Sequence, residues 1–154
     1  MPRLVPARIP DKTVIQNMLT PYLMELSPNA PRTSNYPNLD TYWQPNQNRW
    51  PYLIQLSGQT IGFTFINQHA PSGQPTDFVM AEFYIRPDAR KKGHGKRAAA
   101  QAFVQHPGQW ELAVGTRNIR AKAFWTNVLA PLRPTQFPGT NETIFRFKCT
   151  GRML

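Results

Sequence analysis

The chain has 154 residues, 40% hydrophobic and 17% charged, with 18 Lys and Arg against 8 Asp and Glu for a formal net charge of +10. That length fits one domain around one core, no stretch approaches the 18 consecutive apolar residues of a membrane span, and a single cysteine excludes an internal disulfide. The opening Met1-Pro2-Arg3-Leu4-Val5-Pro6 lacks the apolar segment of a secretion signal, so a soluble cytoplasmic protein with no membrane partner is expected. The surplus of positive charge favours an anionic partner, which could be a phosphorylated cofactor, nucleic acid or an acidic surface.

Arg3 to Ile9 reads as a short strand interrupted by Pro6. Asp11 is placed to cap a helix running to about Leu26, with Ile15, Leu19, Tyr22, Leu23 and Leu26 on one face, and Pro21 is expected to kink or break it. Ser27 to Pro51 is rich in Pro and Asn and reads as loop with a helical turn near Leu39 to Trp43. Its Tyr36, Tyr42, Trp43 and Trp50 fit either a lid over a binding site or a loop folded onto the sheet by its own aromatics. Tyr52–Leu56 and Thr60–Asn67 flank Ser57-Gly58-Gln59 as a hairpin, and Phe78–Ile85 is a mostly buried strand with one charge, Glu82. These four strands are expected in antiparallel meander order.

Pro87 ends the fourth strand, and Arg90 to Gly95 follow as Arg-x-x-Gly-x-Gly. The glycines allow a tight turn and let a ligand approach amides that a side chain would screen. A helix then runs to Gln105, stopped by His106-Pro107-Gly108, so the loop lies at a helix N-terminus where free amides and the macrodipole attract anions. Arg86, Arg90, Lys91, Lys92, Lys96 and Arg97 against Asp88 give a local net of +5, half the charge of the chain. A phosphate-bearing ligand fits. Gly93-His94-Gly95-Lys96-Arg97 lacks the glycine spacing and hydroxyl residue of a Walker loop, and two glycines do not make a dinucleotide fingerprint.

Downstream, Trp110 to Val114 reads as a strand parallel to Phe78–Ile85, since a helix crosses between them. Asn118 to Leu129 follows as a helix with Ala121, Phe124, Trp125, Val128 and Leu129 on one stripe, and Pro131–Phe137 and Thr143–Thr150 close the chain as strands. Cys149 lies in an alternating strand-like segment and reads as a small core residue, not a nucleophile. His69 and His106 lack carboxylate or thiolate partners at ligand spacing, so no metal site is expected.

The motif Arg90-x-x-Gly93-x-Gly95 after a strand, with Asn118-x-x-Ala121-x-x-Phe124-Trp125 further on, resembles the GNAT superfamily of acetyl-CoA-dependent N-acetyltransferases. The resemblance covers residues 52 to 130 well and Leu4 to Leu26 in general pattern. It implies a single α/β domain over 1–154, with a mixed, mainly antiparallel sheet of about six to seven strands and helices on both faces. It also implies acetyl-CoA as acyl donor and a small-molecule or peptide amine as acceptor; a homodimer stays open.

Carried onto this chain, the resemblance assigns the backbone of Phe83, Tyr84 and Ile85 to the pantetheine arm and the amides of Lys91 to Lys96, with Gly93, His94 and Gly95 between, to the pyrophosphate. Arg90, Lys92 and Lys96 or Arg97 would add side-chain charge, and His94 would line the loop. Asn118 is expected to bond the pantetheine arm, to cap its helix, or both. Glu82 is the leading candidate for general base, with Glu25 and Glu111 as weaker options. Many family members carry a Tyr where this chain has Trp125, which lines the cofactor site but cannot usefully transfer a proton. Solvent or Tyr84 must then protonate the leaving thiolate. Two other readings compete: an acyl-CoA sensor without catalysis, favoured by Trp125, and a nucleic-acid module. The latter is disfavoured because the basic residues gather at one helix start and do not spread along a groove.

Overall fold

A computed structural model describes residues 1–27 and 36–152. Its seven strands are β1 (Arg3–Pro6), β2 (Trp50–Leu56), β3 (Gln59–Asn67), β4 (Phe78–Ile85), β5 (Gly108–Gly115), β6 (Thr135–Gly139) and β7 (Glu142–Cys149). They form one sheet in the order β1-β2-β3-β4-β5-β7-β6, antiparallel throughout except for β4 beside β5. The three α-helices are α1 (Lys12–Leu26), α2 (His94–Gln105) and α3 (Ile119–Leu129).

The hairpin between β2 and β3 turns through Ser57 and Gly58, both at positive φ (51° and 81°), the geometry of a two-residue turn that matches strand twist. Pro21 neither breaks nor ends α1, which continues to Leu26. Its ring lies on the exposed side of the helix, where the carbonyl that loses its amide partner can turn to water. The buried face of α1 is Ile15, Met18, Leu19 and Tyr22; Leu23 is only half-buried and Leu26 is exposed, so the buried stripe is narrower than the sequence predicts. Near the C-terminus, Ala130–Leu132 form a turn of 3-10 helix where a strand was expected, and β6 begins only at Thr135.

Two apolar layers sandwich the sheet. On one face α1 packs through Ile15, Leu19 and Tyr22 against Leu53, Phe63, Phe65 and Tyr84. On the other, α2 and α3 pack through Ala98, Ala102, Phe103, Trp125 and Val128 against Ile54, Ile66, Trp110, Phe145 and Phe147. The aromatics of the loop before β2 fold onto the first face. Tyr42 stacks on Phe65 at 4.2 Å, Tyr36 meets the same ring edge-on, and Trp43 donates its indole N–H to the Ala7 carbonyl. The loop therefore contributes Tyr36, Leu39, Tyr42 and Trp43 to the core layer; residues 28–35, also within the segment considered for a lid, lie outside the described residues. Cys149 is buried in β7, and burial raises its thiol to about 12, as suits a core residue.

β4 touches β5 at only two register pairs, Phe78 with Trp110 and Val79 with Glu111. That end is fixed by an aromatic cluster of Phe78, Trp110, Phe103 and Phe147 and by Glu111, which is fully buried. Glu111 pairs with Arg146 on β7 and accepts from the Ser72 amide and hydroxyl, at 3.1 and 2.5 Å, in the loop between β3 and β4. Arg146 also bonds Thr76 and the Pro75 carbonyl. Glu111 is thereby removed as a candidate base, because its oxygens are committed to this ion pair. Replacing Glu111 by Ala strands Arg146 beside the core and is expected to lower stability by about 3–5 kcal/mol in urea unfolding.

Candidate functional site

Beyond Val79 the strands β4 and β5 diverge, and a cleft of about 520 Å³ opens between them. The edge of β4 from Met80 to Ile85 faces this cleft, while its other edge is paired with β3. Asn118 and Ala121 of α3 lie on the same wall as Phe83, Phe124 and Trp125. Phe83 stacks on Phe124 at 5.8 Å and meets Trp125 edge-on at 5.1 Å, so this half of the cleft is apolar. Asn118 caps α3 by accepting the Ala121 amide at 3.2 Å, and its side chain borders the cleft as well.

At the wider end of the cleft stands the basic loop. Lys91 (φ 64°) and Gly93 (φ 82°) both adopt the left-handed conformation, and α2 starts directly after, at His94. The first helical bond runs from the Arg97 amide to the Gly93 carbonyl, so the amides of His94, Gly95 and Lys96 have no acceptor on the helix. Alternating left-handed and helical residues with free amides form a concave anion cradle. Gly93 is suited to its left-handed φ, where an L side chain is strained, and a Cβ at Gly95 would come within 3.0 Å of the Phe124 ring, which would have to give way.

The side chains of the loop divide into two groups. Lys91 and Lys96 line the cleft with Gly93 and Gly95. Lys92, His94 and Arg97, expected at the phosphates, do not line it: Arg97 turns back onto the Lys92 carbonyl at 3.1 Å, since a long side chain in the first turn can satisfy a loop carbonyl beside it. Arg90 reaches the cleft but already has partners. Its Nε donates to the Ile85 carbonyl (2.7 Å) and its Nη2 to both oxygens of Glu25 (2.8 and 2.9 Å). Arg120 of α3 donates to Glu25 at 2.6 Å, so one carboxylate from α1 ties the loop to α3 across the cleft. Glu25, a candidate base in sequence, is thus engaged with two guanidinium groups.

Glu82 occupies a different environment. The register with β3 slips between Phe65–Glu82 and Ile66–Met80, leaving Ala81 as an extra residue in β4. This bulge reverses the strand's alternation, so that Met80, Phe83 and Ile85 belong to the layer under α2 and α3 while Ala81 and Tyr84 belong to the layer under α1. Glu82 also turns towards α1, where it accepts the hydroxyls of Tyr22 (2.7 Å) and Tyr36 (2.5 Å). Burial raises its pKa above the ordinary carboxylate value, and the two phenol donors, which favour the charged form, offset part of that rise. The phenols are shifted upward in turn, by their own burial first and then by the Glu82 charge.

Tyr84 lies beside Glu82 on this face, 4% exposed, with the Arg90 guanidinium 5.6 Å from its ring centroid. Its hydroxyl pKa is raised, chiefly by burial. Tyr22, Tyr36 and Arg120 are contacts that sequence reasoning did not assign to the site. Tyr22 read only as a core-face residue, although its polar tip one turn from Glu25 was a usable signal. Tyr36 was one of several loop aromatics, and nothing marked Arg120. Among the described residues no cluster of three or more His, Cys, Asp or Glu is arranged to hold a metal, and no helix is long and apolar enough to cross a membrane.

A family model described as acetyltransferase (GNAT) family matches residues 15–129. No curated protein matches the chain. Solved structures do. An acetyltransferase from Thermus thermophilus is similar at 19% identity and TM-score 0.69, covering 100% of this chain and 97% of that one. The PaiA N-acetyltransferase from Thermoplasma acidophilum, in complex with coenzyme A, is similar at 12% identity and TM-score 0.69, covering 96% and 99%. Diaminobutyrate acetyltransferase EctA from Paenibacillus lautus, in complex with L-2,4-diaminobutyric acid and coenzyme A, is similar at 14% identity and TM-score 0.66, covering 97% and 95%.

The Glu82 cluster yields a direct test. Because the phenols stabilise the carboxylate, the Tyr22→Phe variant is expected to raise the Glu82 pKa further, and Tyr22→Phe with Tyr36→Phe to raise it more, as read by carboxyl-carbon NMR titration. A downward shift in either variant contradicts the assigned hydrogen bonds.

Proposed function

Because the chain belongs to the acetyltransferase (GNAT) family, which uses acetyl-CoA, we propose that it transfers acetyl to a primary amine by direct attack in a ternary complex. The observation that carries this reading is the divergence of β4 from β5, which exposes a free strand edge leading from an amide cradle to a shielded carboxylate. Among the described residues the cleft wall carries no Cys, Ser, Thr or His to form a covalent acyl intermediate, and Cys149 is buried in the core with its thiol held neutral.

The residues present fit the CoA group. The glycine cradle at Gly93 and Gly95, with Lys91 and Lys96 beside it, is matched to a pyrophosphate, and the open edge at Phe83 and Tyr84 to an extended amide-bearing arm. Phe83, Phe124 and Trp125 offer an apolar wall, and Asn118 a side-chain amide. Bound acetyl-CoA supplies a thioester whose C–S bond breaks as the N–C bond to the amine forms, its sulfur taking up a proton.

A lysine-like amine with a pKa of about 10.4 is deprotonated only about once in 2,500 at pH 7, a penalty of roughly 4.6 kcal/mol, so a base is required. Glu82 takes that role. Its raised pKa makes it a stronger base than a solvated carboxylate, and Tyr22 and Tyr36 fix its orientation. Tyr84, whose hydroxyl burial keeps protonated, is the proposed donor to the leaving sulfur, a part that Trp125 cannot play. A second reading, an acyl-CoA sensor, draws on the same Trp125, which is 6% exposed and wedged against Phe83 and Phe124. A cytoplasmic location fits this chemistry.

One experiment tests the cradle that both readings share, and a second separates them. Calorimetric titration should show micromolar acetyl-CoA binding that the Gly93→Ala/Gly95→Ala variant loses by at least about tenfold, since a left-handed Ala at 93 costs about 1–2 kcal/mol and a Cβ at 95 crowds the Phe124 ring beside the cradle. Retained affinity would count against the cradle. In thiol-release assays Glu82→Gln is expected to lower kcat by about 10²–10⁴-fold with CoA affinity unchanged, and the wild-type rate to climb with pH through a value above the ordinary carboxylate range. Binding without thiol release for any amine would favour the sensor.

A further inference from the structure

The transferase reading leaves the acceptor open, and the distribution of charge in the cleft narrows it. The buried Glu111 and the cleft-lining Glu25 and Glu82 are partnered in different ways. Glu111 has Arg146, and Glu25 has both Arg90 and Arg120. Glu82, which lines the cleft, has among the described residues only two neutral phenols. Desolvating a carboxylate without a countercharge is unfavourable, and a cation arriving in the cleft would relieve it. Among the described residues this position is left to phenols in a chain with a net charge of +10, which points to a cation supplied from outside.

The same face is poorly equipped for an anion. Its two cleft-lining guanidinium groups are both held by Glu25, Arg90 through two oxygens and a further bond to the Ile85 carbonyl. Lys91 and Lys96 belong to the cradle beside Gly93 and Gly95. An acid group entering beside Glu82 would have to displace Glu25 from its pair, and until then would face two carboxylates. The remaining wall on the α1 side is Tyr22, Leu26, Ala81 and Tyr84, aromatic and apolar.

Resting on the transferase reading above, we propose that the acceptor is an ammonium on an uncharged apolar body, an aralkylamine or alkylamine, whose nitrogen meets Glu82, and that Glu25 excludes acid-bearing amines by occupying Arg90 and Arg120. Glu25 acts here as a specificity-determining residue that works through the two arginines; Glu82 makes the direct contact.

The test compares acceptors of matched shape. 2-Phenylethylamine and L-phenylalanine share a skeleton and differ by one carboxylate, and spermidine presents several cations on a flexible chain. Wild-type protein is expected to acetylate 2-phenylethylamine with a kcat/KM at least about tenfold above either of the others, because the carboxylate of phenylalanine is brought against like charges and the additional cations of spermidine against the apolar wall. In Glu25→Gln the advantage over phenylalanine should narrow, through a lower KM for phenylalanine, because the arginines are released to its carboxylate. Equal or better use of phenylalanine or spermidine by the wild type overturns the proposal, as does an unchanged ratio in Glu25→Gln. Calorimetry with CoA-saturated protein supplies the control: failure of 2-phenylethylamine to bind while CoA binds overturns the acceptor assignment alone. Failure of CoA itself to bind overturns the transferase reading beneath it.

Discussion

Everything functional in this molecule depends on two neighbouring parallel strands that part company after two residue pairs. At one end Trp110, Phe103, Phe147 and the buried Glu111–Arg146 pair hold β5 against β4 and β7. At the other end β5 stays with β7 along its whole length while β4 stays with β3, so the gap between them must open. The consequence is a run of β4 backbone without a strand partner beside it, placed in the middle of a sheet where it is protected from edge-to-edge association. An extended ligand with its own amides can complete that edge as an added strand does.

The interior carboxylates show how similar groups acquire different duties from their surroundings. Glu111 and Arg146 form a closed network with the loop between β3 and β4, which makes them structural. Glu25 is a bridge among α1, the basic loop and α3, coupling three elements that border the cleft. Glu82 is held by hydroxyls that orient it without neutralising it, and burial raises its pKa. A shielded carboxylate kept reactive in a cleft is the arrangement that proton abstraction requires.

The basic loop works mainly through its backbone. Of its six cations, Arg86 pairs with Asp88, Arg90 with Glu25, Arg97 folds onto a carbonyl and Lys92 is exposed away from the cleft, which leaves Lys91 and Lys96 on the cleft wall. On the proposed reading, anion binding would rest on the amides after two left-handed residues and on the helix dipole, which are fixed by the fold and do not depend on flexible side chains.

The sequence by itself determined the order of elements, the hairpin at Ser57 and Gly58, the crossover from β4 through α2 to β5, and the cradle at Gly93 and Gly95. Each of these is written in local signals: alternation, turn residues, glycine spacing and helix stops. It also marked Glu82 as the one acid in its strand. Only the tertiary structure decided what Glu82 touches, because Tyr22 and Tyr36 come from a helix and a loop distant in sequence, and because the Ala81 bulge, invisible in composition, reverses which side chains share its face. The same holds for Arg90 and Arg120. Their charge was legible at once, but whether that charge is available depends on Glu25, a partner 65 and 95 residues away that only the packing of α1 across the cleft brings within reach.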